Sequence, residues 1–198
     1  NTTQQLGVLL DWNWTAGATF DPKTLRAALN AMGFDGDTLI PDPKPESQLK
    51  AHAPRFTKRE GKTVTWKTAI KIVTDANSGQ RFAKMSLRQL DQLDAKVSYV
   101  HRESVVFNLS EGKFEDSLNQ DGHSMIALDL IETMNRYLIA YDGNWIRDNV
   151  IAKVAKHELK AIKWKGMYFC PEGEGVNNFK DAMSGVDGFN LETPEIPM

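Results

Sequence analysis

Between residues 64 and 72 the chain alternates. Val64, Trp66, Ile70 and Ile72 fall on one parity, and Thr65, Lys67, Ala69 and Lys71 on the other. A period of two is the mark of a strand with one face buried and one in water. The turn formers Asp75-Ala76-Asn77-Ser78-Gly79 follow at once, so the next run, Gln80 to Leu87, is expected to return as a hairpin partner. Lys96–Val100 and Ser104–Leu109 carry the β-branched and aromatic residues of further strands. A small antiparallel sheet over residues 62–109 is the expected result.

The period changes on both sides of this region. Asp21 as N-cap, Pro22 at the first helical position, the stripe Leu25, Ala28, Leu29, Met32 and Gly33 beyond it predict a helix. Pro41, Pro43 and Pro45 form a stiff connector to a short helix, Glu46–Ala53, which Pro54 stops. Further on, Ala127, Ile131, Met134, Leu138, Tyr141 and Trp145 recur at helical spacing, flanked by Leu128 and Leu130, and predict a largely buried helix. Gly143 is expected to end it, and Asn144 to cap a second helix from Trp145 to about Leu159. The fold class is therefore α+β: a small antiparallel sheet packed with a buried helical hairpin. Residues 1–175 are expected to form one domain, with an N-terminal helical part (1–56), the sheet (62–109), and the hairpin with a returning strand (122–171). A polar tail, 176–198, holds a short helix near Phe179–Met183. Leu6–Trp14 reads as a short strand or helix.

Composition excludes several classes. Apolar residues at 41% and charged residues at 25% are ordinary globular values. No apolar run approaches the roughly 18 residues of a membrane helix, and NTTQQLGVLLDWNW lacks a basic leader with a long apolar core. One cysteine cannot form an internal disulfide, so a reducing, cytoplasmic setting without a membrane partner is expected. The net charge of −2 is unevenly distributed: residues 57–109 hold ten basic and five acidic side chains, and 145–165 six and two. The segments 110–144 and 166–198 each sum to −5.

Motifs for common chemistries are missing. The four histidines are far apart, with no HExxH and no CxxC, so neither a metal nor a cofactor is expected. His101-Arg102-Glu103 has the H-x-E of zinc deaminases without the P-C-x-x-C that supplies the other ligands. Cys170, between Phe169 and Pro171, reads as a buried structural thiol. An enzymatic alternative, a hydrolase or transferase, would need a site assembled from His101, Glu103 and His123.

Two features point instead to binding. Lys153, Lys156, His157 and Lys160 fall on one arc of the second helix, and Lys163 and Lys165 follow in the strand-like stretch KWKGMYFCP. Helix, glycine turn, basic helix and strand is the order of a winged helix, which makes these five lysines candidates for nucleic-acid contact. Trp12 and Trp14 in DWNW are expected to leave one ring outside the core, where an outward tryptophan marks a protein-partner surface.

The proline-framed helix Pro41–Phe56 and the aromatic run GMYFCP resemble elements of uncharacterised proteins from bacteria and their phages, over about two thirds of the chain. That resemblance implies a setting and no activity. The expected function is a non-enzymatic binding module for a protein or nucleic-acid partner.

Overall fold

The computed structural model describes residues 6–62, 64–93, 96–116 and 122–197, with backbone alone for residues 6, 91–93 and 96–98. Its elements are β1 (Leu6–Trp14), β2 (Thr19–Phe20), α1 (Pro22–Ala31), α2 (Gly36–Leu39), α3 (Pro45–His52) and a 3-10 turn (Ala53–Arg55). There follow β3 (Thr57–Glu60), β4 (Val64–Thr74), β5 (Arg81–Leu93), β6 (Lys96–Asn108), β7 (Lys113–Phe114) and α4 (Met125–Ile139). The last part holds β8 (Tyr141–Asp142), α5 (Gly143–Ile146), a π-helical stretch (Arg147–Ile151), α6 (Ala152–His157), β9 (Ile162–Trp164), β10 (Met167–Pro171), α7 (Glu174–Ser184), β11 (Phe189–Glu192) and β12 (Glu195–Pro197). The fold is α+β with antiparallel sheets. The chain divides into two compact units, one built from residues 1–42 and 139–198 and one inserted between them, 43–138. The sequence had suggested a single domain through residue 175.

In the inserted unit, β3 to β7 form a five-stranded antiparallel sheet in chain order. The Asp75 carboxylate accepts from the backbone N–H of Asn77 at 2.7 Å and of Ser78 at 3.2 Å, and Gly79 takes a positive φ of 71°, closing the β4–β5 turn as the residue types demand. Ala83, Met85, Leu87, Val105 and Phe107 bury one sheet face against Leu49 and Ala53 of the α3 end and Ala127, Leu130 and Met134 of α4. Gln48 Nε2 donates to the Tyr137 carbonyl at 2.7 Å, and the His52 ring stacks on Tyr137 at 3.7 Å, fastening α3 to α4. The sheet thus has one covered face and one facing water.

The unit made of the two chain ends is built on β1. Val8 and Leu10 are buried in the core, and β1 pairs with β10 on one side and with β12 and β11 end to end on the other. The helix expected near Phe179–Met183 is α7, which buries Val176, Phe179, Ala182 and Met183, and residues 176–198 are not the polar tail expected, since β11 and β12 follow and pair with β1. KWKGMYFCP folds at Lys165 (φ 48°) and Gly166 (φ 81°) into the β9–β10 hairpin, with β10 interior and β9 on the edge.

The helical hairpin over 122–159 is also corrected. The first helix ends at Ile139, and Asp142, not Asn144, caps the next by accepting from Trp145 N–H at 2.9 Å. Gly143 begins that helix, and a Cβ there would overlap the Trp14 indole. Tyr141 and Trp145, assigned to the first stripe by spacing, stack on each other at 3.5 Å outside it. Through residue 138 the first helix belongs to the inserted unit, and the second belongs to the other.

Candidate nucleic-acid interface

Strand alternation sorts the inserted sheet's side chains onto two faces, and register carries the sorting across the strands. The covered face holds Thr68 opposite Leu87, Ile70 opposite Met85, and Ile72 opposite Ala83. The outer face holds the intervening residues. One row across it runs Thr57, Lys67, Arg88, His101, and another sets Lys71 against Lys84 and Lys84 against Val106. Arg59, in β3, shares this face. Tyr99 projects from the same face: its ring lies 5.7 Å from Lys67 Nζ and is 40% exposed.

Among the described residues the β4 and β5 charges on this face are all positive. Lys67 stands directly opposite Arg88, and Lys71 directly opposite Lys84. All four and Arg59 are exposed. Among the described residues none of the five forms an ion pair. Glu115, just past β7, continues the Lys71, Lys84, Val106 row, its N–H donating to the Val106 carbonyl, and its Oε1 accepts from Asn108 Nδ2 at 3.2 Å. Three cations elsewhere in this unit are paired with carboxylates. Lys58, on the covered side, meets Asp129 at 2.9 Å, while Lys50 and Arg81 both reach Glu46 at 2.8 Å and hold its carboxyl below the usual range. Like charges set directly opposite on adjacent strands destabilise a sheet, so two such pairs are a cost that folding alone does not explain.

The lysines singled out by sequence lie in the other unit. Lys153, Lys156, Lys160, Lys163 and Lys165 are all exposed, on α6, the turn after it and the β9–β10 hairpin. Lys163 Nζ sits 5.5 Å from the Tyr168 ring centroid and Lys165 Nζ 4.6 Å from that of Trp164. The Arg147 guanidinium holds the Asp148 carboxyl below its ordinary value, and Lys163 adds a smaller push in the same direction. Trp12 and Trp14 do not divide between core and solvent. Residues two apart on a strand share a face, so both pack on the core beside Val8 and Leu10, Trp12 against Tyr168 at 6.0 Å and Trp14 against Phe189 at 6.2 Å.

Of the residues offered for catalysis, the structure joins two. His123 Nδ1 lies 3.2 Å from Glu103 Oε1, and Ser124 brings its N–H and hydroxyl to the same carboxylate. Ser124 also caps α4, its Oγ accepting from Ala127 N–H at 3.2 Å. Burial pushes the Glu103 carboxyl up, but the Ser124 and His123 contacts outweigh it and hold the group below the usual glutamate value. A register shift between Leu87 and Arg88 turns Glu103 inward and leaves His101 on the outer face opposite Arg88. Glu103 therefore fastens the start of α4 to β6. Cys170 is fully buried in β10, and burial pushes its thiol up to about 11. Among the described residues no group of three or more His, Cys, Asp and Glu side chains is placed to hold a metal, and no helix is long and apolar enough to cross a membrane.

No protein-family model, no curated protein and no solved structure matches the chain.

Proposed function

We propose that the chain is a non-enzymatic binding module whose partner is a nucleic acid, held on the outer face of the β3–β7 sheet. The observation that carries this reading is the two pairs of directly opposed cations, Lys67 with Arg88 and Lys71 with Lys84, on a face open to solvent. Phosphates neutralised by these side chains release condensed counterions, which supplies affinity and relieves the repulsion between the cations at the same time.

A second reading places the same partner on Lys153, Lys156, Lys160, Lys163 and Lys165, in the helix-then-hairpin order of a winged helix. Their common exposure supports it, whereas the neighbouring Asp148 and the interior position of β10 weigh against it. The contact of Glu103 with His123 supports a fastening role better than a hydrolase or transferase, because every oxygen of that carboxylate already accepts from the start of α4.

Fluorescence-anisotropy titration with labelled oligonucleotides at low and moderate salt separates these readings. The Lys67/Lys71/Lys84/Arg88 quadruple glutamine variant should lose binding, and the Lys153/Lys156/Lys160 triple alanine variant should keep it. Binding that survives in the first and vanishes in the second would move the interface to the other unit.

A further inference from the structure

We infer that the nucleic acid bound by the outer face is single-stranded, laid along β5 with a base stacked on Tyr99. This rests on the reading just given and adds the class of strand. Three observations carry it.

The first is breadth. At the level of Lys67 and Arg88 four strands, β3 to β6, lie side by side, and at about 4.8 Å apart they span about 14 Å between the outermost strand axes, whereas the major groove of a duplex is about 12 Å wide and admits a helix or a two-stranded ribbon. The face is thus a platform rather than an element that enters a groove.

The second is Tyr99. Its ring projects from the outer face, 40% exposed, and offers a stacking surface that only an unpaired base can use. Lys67 Nζ lies over that ring, 5.7 Å from its centroid, on a flexible stem that must swing aside for a base to stack on that side, which leaves the cation free for the adjoining phosphate.

The third is the order of groups along β5. Tyr99 stands opposite Leu90 at one end, and half-buried Phe82 opposite Val73 lies towards the other. Arg88 and Lys84 project between them, with Lys67 and Lys71 directly across on β4. From Phe82 to Leu90 the strand runs about 27 Å. That length suits the lower end of the ~4 to 16 nucleotides that single-strand sites cover. Apolar ends with cations between them match a chain whose bases stack and whose backbone is charged throughout.

The test uses the full chain and three labelled probes of one length and base composition: single-stranded DNA, single-stranded RNA and duplex DNA. Parent protein should bind a single strand at least about tenfold tighter than the duplex at moderate salt, and whichever single strand is tighter identifies the sugar. Tyr99→Leu should weaken single-strand binding by about 5- to 100-fold while leaving duplex binding and the salt slope unchanged, because no phosphate contact is lost. Tyr99→Phe should restore it. A duplex bound as tightly as either strand, or Tyr99→Leu without effect, would overturn the inference while the module remains a nucleic-acid binder. Absence of binding to all three probes would instead remove the underlying reading, and this one with it.

Discussion

Replacing Lys84 by Glu separates stability from binding on the outer face. Lys84 is exposed and directly opposite Lys71, so the change touches no core contact and converts a repulsive cross-strand pair into an attractive one. Each such pair is worth about 0.2–1 kcal/mol, with the sign set by the charges, so the swap should stabilise the sheet by about 0.5–2 kcal/mol at low salt. The gain should shrink in 1 M salt, where the Debye length falls to about 3 Å. The same change removes one phosphate-binding cation and ties up a second, which should reduce the magnitude of the salt slope by about 1.4–1.8. Stability and affinity are therefore expected to move in opposite directions. Native-state hydrogen exchange of the β4 and β5 amides reads the first, as exchange slowed about 2- to 30-fold, and anisotropy titration across salt reads the second. A variant that is stabilised yet binds as the parent does, or that loses both, would refute the argument that these cations are kept for a polyanion.

Three further outcomes follow from the packing. Gly143→Ala should destabilise the unit formed by the chain ends by about 1–3 kcal/mol or more, because the added methyl overlaps the Trp14 indole; denaturant unfolding followed by tryptophan fluorescence checks it. Glu103→Gln should cost the inserted unit about 1–3 kcal/mol at neutral pH. Because the folded Glu103 carboxyl lies below its ordinary value of 4.5, its contribution is present above that value and is lost as pH falls through the lower folded one. The gap between parent and variant should therefore close in acid, and a pH-independent gap would contradict the fastening role. Cys170, buried with its thiol pushed up to about 11, should resist a thiol reagent at pH 8 in the folded protein and react promptly once unfolded.

Local rules made much of the fold legible and little of the site. Asp21 and Pro22 start α1 as their chemistry requires, and the alternation from Val64 to Ile72 with the turn at Asp75 gives β4 and β5. These signals lie within a few residues of each other, and nothing at a distance competes with them. The stripe through Tyr141 and Trp145 runs on at helical spacing past the end of the helix at Ile139, where Tyr141 and Asp142 pair as a strand with Phe20 and Thr19, more than a hundred residues earlier in the chain. The segment after Gly173 looked polar because its apolar residues are few, yet Val176, Phe179 and Met183 fall on one helical face, and Phe189 and Leu191 on one strand face. The outer-face cations were visible as the polar half of the alternation and in the excess of ten basic over five acidic residues in 57–109. Their opposition was not visible, since it depends on the β4–β5 register. The lysine arc of α6 is legible without a structure because helical geometry follows from sequence spacing alone.

Chemical footprinting of lysine amines, with and without a saturating single-stranded oligonucleotide, tests the central claim most directly. Acetylation read by mass spectrometry reports each side chain separately. The account predicts that Lys67, Lys71 and Lys84 are shielded by the oligonucleotide, while Lys58 on the covered side of the same sheet, and Lys153, Lys156 and Lys160 in the other unit, keep their reactivity. Shielding of the second group with Lys67, Lys71 and Lys84 unchanged would contradict it.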